Sequence, residues 1–175
     1  MGYAGGTTAS PTYRRIGDHT ESIQIVFDPE VISYEELIRI FWESHNPLAA
    51  AYSQQYRSIV FFHDEEQEAI ALATRDALSQ ELGAEVKTDL RAYENFTSAE
   101  AYHQKYYLQN RREVFDAVKA MYPSFDGFVD STTAARINGY VAGYGTQEQF
   151  EKDMEFVPLS EPVEQRLRRT VEAHW

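Results

Sequence analysis

The 175-residue sequence contains no cysteine. Within these residues that excludes a disulfide, a thiolate metal site and a thiol nucleophile. Long apolar runs are also missing. Nothing approaches the roughly 20 consecutive apolar residues of a membrane-spanning helix, and Met1-Gly2-Tyr3-Ala4-Gly5-Gly6 has neither the basic region nor the hydrophobic run of a secretory leader. The expected location is the cytoplasm, with no membrane partner. Basic residues are scarce, 16 Lys and Arg against 28 Asp and Glu, for a formal charge of -12 and a pI near 4.8. Such a surface repels a phosphate backbone, which argues against nucleic acid as a partner. No phosphate-binding glycine loop or nucleotide fingerprint is present.

What is present is an ordinary globular composition, 43% hydrophobic and 25% charged, long enough for one domain with a core of its own or for one domain with a helical piece appended. Tyrosine is abundant, at 12 residues. That many rings must be packed or line a pocket.

The N-terminal two thirds alternates strand and helix signals. Gly2 to Thr8 reads as a turn-forming loop. Ile23, Ile25 and Phe27 alternate with polar residues, predicting a strand from Glu21 to Phe27 that ends at Asp28-Pro29. Ser33 and Glu36 have capping-box spacing ahead of Leu37, Ile40 and Phe41, predicting a helix over Tyr34 to Ser44. Ser58 to Phe62 reads as a buried strand, and Asp64 caps a helix reaching Leu82, stopped by Gly83. A third strand is expected over Glu85 to Tyr93, and Thr97 with Glu100 has capping-box spacing for a helix running through Tyr106. Beyond Asn110 only helical patterns occur, over about 112–121, 131–143, 147–156 and 161–174. The division expected is thus 1–110 for an α/β part and 111–175 for a helical extension packed on it.

Eight segments in order carry a resemblance to a known family. They are Gly2-Tyr3-Ala4-Gly5-Gly6, Pro11-Thr12-Tyr13, Gly17-Asp18-His19-Thr20-Glu21, Phe27-Asp28-Pro29, Ile32-Ser33-Tyr34-Glu35-Glu36-Leu37, Phe41 through Pro47, Gln55-Tyr56-Arg57-Ser58 and Ala99 through Tyr106. Together they resemble the peptide-methionine (S)-sulfoxide reductases (methionine sulfoxide reductase A). The stretch from about Val129 to Gly145 resembles a helical extension found in one branch of that family. The resemblance implies an α+β fold, an α/β roll with a two-layer mixed sheet, here without the family's first strand and helix. Their junction carries Gly-Cys-Phe-Trp-Gly, which the family has upstream of the tyrosine-glycine loop. A complete member is therefore expected to begin upstream of Met1. A gap at an internal strand is expected to leave two sheet edges exposed, lowering stability or favouring association of two copies.

The resemblance implies reduction of methionine (S)-sulfoxide in proteins or as the free amino acid, a repair of oxidative damage by a thiol-dependent oxidoreductase. It implies no bound cofactor or metal, and an external thiol reductant, thioredoxin or a small thiol. By position Glu21 matches the acid that protonates the sulfoxide oxygen, and Tyr13 and Tyr56 match the phenols that hydrogen-bond it. Without the family's cysteine these residues are expected to be inactive alone. The alternative is a non-catalytic module that binds oxidised methionine in peptides. Where the family has an aspartate ahead of the second phenol, the shortened stretch Ala49 to Gln55 has Ala51. His19, His45 and His103 share no ligand spacing and read as structural.

Overall fold

A computed structural model describes residues 1–174. The chain divides into two compact units, one over Met1–Glu100 and one from Ala101 onward.

In the first unit Gly2–Ala4, the start of the expected loop, is a strand, while residues 5–8 are irregular as expected. Strand β1 (Gly2–Ala4) is central in an antiparallel sheet, flanked by β2 (Thr20–Ser22) and β5 (Phe96–Ser98), with Tyr3 opposite Glu21 on one side and Thr97 on the other. Paired on both edges, all three β1 residues are buried. Thr97 lies in β5 and so opens no helix. The glycine signal has a different cause: Gly5 has a φ of 74°, and a side chain there would strike the Phe61 ring.

The second sheet of this unit is a parallel pair, β3 (Ile59–Phe62) with β4 (Asp89–Ala92), Val60 opposite Leu90. A parallel pair needs a crossover, here supplied by helix α2 (Glu65–Leu82). Asp64 accepts from the Gln67 N–H at its start, and Gly83 closes it in the left-handed conformation. Helix α1 (Tyr34–Glu43) begins with the expected capping box between Ser33 and Glu36. Its Ile38 and Trp42 join Val60, Ala71 and Val86 in the core of this layer, and the Trp42 Nε1–H donates to Thr74 Oγ1 at 3.1 Å.

Two expected strands are shorter than their sequence patterns. Strand β2 stops at Ser22, and residues 23–27 have no backbone hydrogen bond; Ile23, Ile25 and Val26 are exposed, Val26 at 96%. Alternation marks which side chains share a face, but a strand also requires a neighbour to accept its ladder. Strand β4 starts only at Asp89. The preceding residues are held by a loop, through Lys87 N–H to Pro47 C=O at 2.7 Å, and by helix α2, through Val86 N–H to Ser79 Oγ at 3.3 Å.

The unit from Ala101 onward is helical: α3 (Tyr106–Gln109), α4 (Arg112–Lys119), α5 (Phe125–Val129), α6 (Thr132–Val141), α7 (Gln147–Met154) and α8 (Glu161–Glu172), preceded by a 3₁₀ turn at Ala101–His103. The expected continuous helix through Tyr106 is broken at Lys105, whose φ is 49°. Helix α5 lacks a sequence signal long enough to predict it, yet it carries Phe128. That ring is fully buried and meets Phe115 edge-on at 5.4 Å. Leu108, Val114, Val118, Ile137, Phe150, Leu167 and Val171 complete one continuous core. Among the described residues no helix is long and apolar enough to cross a membrane.

Candidate functional site

The site is assembled in the first unit by two loops laced to strand β2. Gly17, with a φ of 64°, turns the chain so that Asp18 can close the first loop. The Asp18 carboxylate accepts from the N–H and Oγ1 of both Thr7 and Thr8, at 2.7 to 2.9 Å. The hydroxyl of Thr8 and the other three donors favour the charged form and hold this carboxyl far below its ordinary range. Next to it the buried His19 accepts from Gly6 N–H at Nδ1 (3.2 Å) and so carries its proton on Nε2, which donates to Thr8 C=O (2.9 Å). His45 is likewise spent, on Phe41 C=O and Thr88 Oγ1.

The second loop runs along β2. Glu21 N–H donates to Gln55 C=O at 3.0 Å, and Thr20 Oγ1 donates to Gln54 C=O at 3.0 Å while accepting from Arg57 Nε at 2.9 Å. Arg57, 7% exposed in its side chain, also bonds Asp89 at 3.1 Å, tying the loop to β4. Between them these bonds fix residues 54–57 against residues 20–21.

Tyr13 sits in a tight turn closed by Thr12 and Arg15, and its N–H donates to Glu100 Oε1 at 3.1 Å. The other oxygen of Glu100 accepts from the Tyr3 hydroxyl at 2.6 Å. One carboxylate therefore anchors the tyrosine loop to the central strand. Tyr13 and Tyr56, 43 positions apart, meet with their hydroxyl oxygens 3.1 Å apart. Gln55 Nε2 donates to Glu21 Oε1 at 2.6 Å and to Tyr56 Oη at 3.1 Å.

All three residues singled out from the sequence, Glu21, Tyr13 and Tyr56, are thus joined in one hydrogen-bonded group. Its phenols face outward, Tyr13 at 37% and Tyr56 at 51% exposure. The Tyr56 hydroxyl has its pKa pushed up to about 12, first by its bond to Tyr13, then by lost hydration and by the charges of Tyr13 and Glu21. Glu21 also borders a largely apolar cleft of about 510 Å³ whose walls include Ile25, Leu37, Phe41 and Ile59; neither phenol lines it.

Comparison with known proteins gives this arrangement a family. The sequence model of the family described as peptide methionine sulfoxide reductase matches residues 1–135. The chain belongs to that family. A second model, for the helical domain of selenoprotein methionine sulfoxide reductase A, matches residues 126–166 of this peptide methionine sulfoxide reductase family member. The peptide methionine sulfoxide reductase of Drosophila melanogaster is 40% identical over 162 residues, covering 91% of this chain and 65% of the relative. The methionine sulfoxide reductase MsrA of Methanococcoides burtonii is 39% identical over 125 residues, 64% of this chain and 82% of the relative. Among solved structures, Mxr1 from Saccharomyces cerevisiae in reduced form aligns with a TM-score of 0.59 at 27% identity, over 63% of this chain and 70% of the other. The chain spans a little under two thirds of the length of the Drosophila relative and 55% of that of a Nostoc one.

Two residues in this group stand outside the expected set. Gln55 appeared only as a letter in a motif, and the signal for it was its adjacency to a candidate phenol. Glu100 has the spacing of a helix-capping residue with Thr97. Nothing local in the sequence connects it to Tyr13, 87 residues away.

Proposed function

We propose that these residues form the oxygen-binding part of a site for reducing methionine (S)-sulfoxide, in proteins or as the free amino acid. The observation that carries the reading is the meeting of Tyr13 and Tyr56 at 3.1 Å, with Glu21 joined to them through the Gln55 amide. A sulfoxide oxygen accepts hydrogen bonds strongly and leaves poorly, so its removal calls for donors and a proton. Each phenol carries an O–H that can be turned toward a ligand oxygen. Glu21, when protonated, supplies a second donor and the proton.

In the reaction a thiol sulfur attacks the sulfoxide sulfur, forming a sulfur–sulfur bond as the protonated oxygen leaves as water; a water then attacks the thiol sulfur, the sulfur–sulfur bond breaks, and methionine, a sulfenic acid and a proton are released. The sulfoxide sulfur is reduced by two electrons and the thiol sulfur oxidised by two. No residue among the 175 is a cysteine, so the attacking thiol comes from outside them. A thioredoxin-type protein or a small thiol then returns the sulfenic acid to thiol. The setting that fits this chemistry is the cytoplasm.

The same absence of cysteine favours a second reading, a module that binds oxidised methionine without turnover. Titrating N-acetyl-methionine (S)-sulfoxide N-methylamide and its thioether against the chain tests the site common to both readings. Tighter binding of the sulfoxide is expected, and equal binding overturns it. A thiol-dependent reduction assay on the chain alone is expected to give no turnover; turnover at enzymatic rates would mean a nucleophile other than cysteine.

A further inference from the structure

We propose that Arg14 and Arg15, on the turn that carries Tyr13, form a cationic rim that selects methionine sulfoxide flanked by acidic residues in a peptide. The inference rests on the sulfoxide reading of this site and adds the class of its substrate.

The unit over Met1–Glu100 is strongly acidic, with 17 Asp and Glu against 7 Lys and Arg. Most of its cations are neutralised where they stand. Five of the seven lie against a carboxylate, among them Arg57 on Asp89 at 3.1 Å and Arg75 on Asp76 at 2.9 Å. Among the described residues, the two cations of this unit without an ion pair are Arg14 and Arg15, both exposed. The carboxylates that fix this loop do not neutralise them: Asp18 accepts from Thr7 and Thr8, and Glu100 accepts from Tyr13 N–H and the Tyr3 hydroxyl.

The backbone sets their place. Thr12 and Arg15 exchange both main-chain hydrogen bonds, at 3.3 and 2.9 Å, so Tyr13 and Arg14 form the two-residue tip of a hairpin turn and Arg15 closes it. Consecutive Cα atoms are about 3.8 Å apart, so both arginines are rooted within roughly 7 Å of Tyr13 along the chain. In an extended peptide, residues one or two positions from the oxidised methionine stand off by the same distances. Carboxylates at those positions come within about a Debye length of two positive charges, about 8 Å at physiological ionic strength. Elsewhere the excess negative charge of the unit repels such a peptide, so the arginine pair marks where it approaches. A neutral flank gains little from the pair, and a basic one is repelled by it.

The test measures affinity at neutral pH for acetylated, amidated tripeptides with methionine (S)-sulfoxide between two Asp, two Asn or two Lys residues, and for the thioether form of the Asn peptide. The wild-type chain is expected to bind the Asp peptide about tenfold more tightly than the Lys peptide at about 0.01 M ionic strength, and to lose most of that ratio at about 1 M. Arg14→Gln with Arg15→Gln is expected to bring the ratio to within about twofold of one while the preference for sulfoxide over thioether persists. Arg14→Lys with Arg15→Lys is expected to retain the ratio, because charge carries the selection. Near-UV circular dichroism reports whether each variant is folded. Equal binding of the Asp and Lys peptides by the wild-type chain, a ratio that survives in the folded glutamine variant, or its loss in the folded lysine variant overturns the assignment of the rim and leaves the sulfoxide reading intact. Equal binding of the Asn sulfoxide peptide and its thioether overturns the sulfoxide reading, and with it this inference.

Discussion

The two units of this chain solve the burial problem differently. Among the described residues the helical unit gathers twelve buried hydrophobic residues into one cluster, whereas the helix–sheet cluster of the first unit has five, and that unit leaves Ile23, Ile25 and Val26 facing solvent. The hydrogen-bonded group of Glu21, Gln55, Tyr13 and Tyr56 lies in the less buried unit. Its order comes from polar bonds between loops: Asp18 to two threonines, Arg57 to Thr20 and Asp89, Glu100 to Tyr3 and Tyr13. Apolar packing defines the helices, and hydrogen bonding defines the site.

If that contrast is right, the largest single-residue loss comes from the helical core. Phe128→Ala removes a fully buried ring from the centre of that cluster and is expected to cost about 3–5 kcal/mol. Hydrogen exchange at the amides of α4 to α6 would show it, and unchanged protection would mean the cluster is not a cooperative core. The first unit's counterpart is Tyr3→Phe. It keeps the buried ring and deletes the bond to the Glu100 carboxylate, with an expected cost of about 1.5–3 kcal/mol. Loosening of the Tyr13 loop should accompany it, seen as faster exchange of the Tyr13 amide.

The same contrast sets what could be read from the sequence. Elements defined by local signals were legible. Ser33 with Glu36, Asp64 with Gly83, and the apolar stripes of α4, α6, α7 and α8 each predicted a helix found within two or three residues of its bounds. Elements defined by partners were not. Gly2–Ala4 is a strand only because β2 and β5 flank it, and residues 23–27 have a strand's alternation without a strand's pairing. For the candidate site, motif order singles out Tyr13, Glu21 and Tyr56, and the fold joins them in one hydrogen-bonded group. The bridging amide of Gln55 and the anchor of Glu100 depend on distances across 34 and 87 residues, which no spacing rule encodes.

Smaller effects are expected where polar bonds at the surface define the site. The Asp18 carboxyl titrates below its ordinary value when folded, so its contribution is fully present above the unfolded value near 4 and is lost as pH falls below that, toward the folded value. Asp18→Asn should flatten the acid limb of the unfolding midpoint against pH and leave the neutral-to-alkaline limb unchanged. An acid limb identical to wild type would assign that dependence to other carboxylates. Within the site, Tyr13→Phe removes the leading cause of the raised Tyr56 value. The Tyr56 phenol should then titrate below about 12, closer to the ordinary value of a phenol. Ultraviolet or ¹³Cζ titration reads this directly, and an unmoved value would mean that the bond to Tyr13 is not what raises it.

The smallest effect on stability is expected at the most exposed apolar side chain, and there the comparison is sharpest. Val26 is 96% exposed on a segment without backbone partners, so Val26→Lys removes almost no buried surface and should change the unfolding midpoint within about 0.5 kcal/mol. Its effect should appear in association instead. Residues 23–27 present Ile23, Ile25 and Val26 beside unpaired N–H and C=O groups, the combination by which one chain pairs with another. A lysine on such an edge opposes pairing through charge and hydration. Sedimentation across a concentration series is the measurement: wild-type chain should show concentration-dependent association, and Val26→Lys should shift it toward monomer while the melt stays the same. A wild-type chain that is monomeric at every concentration, with a single sharp melt, would mean that the exposed segment is no liability, and that the first unit is held as firmly by its loops as the helical unit is by its core.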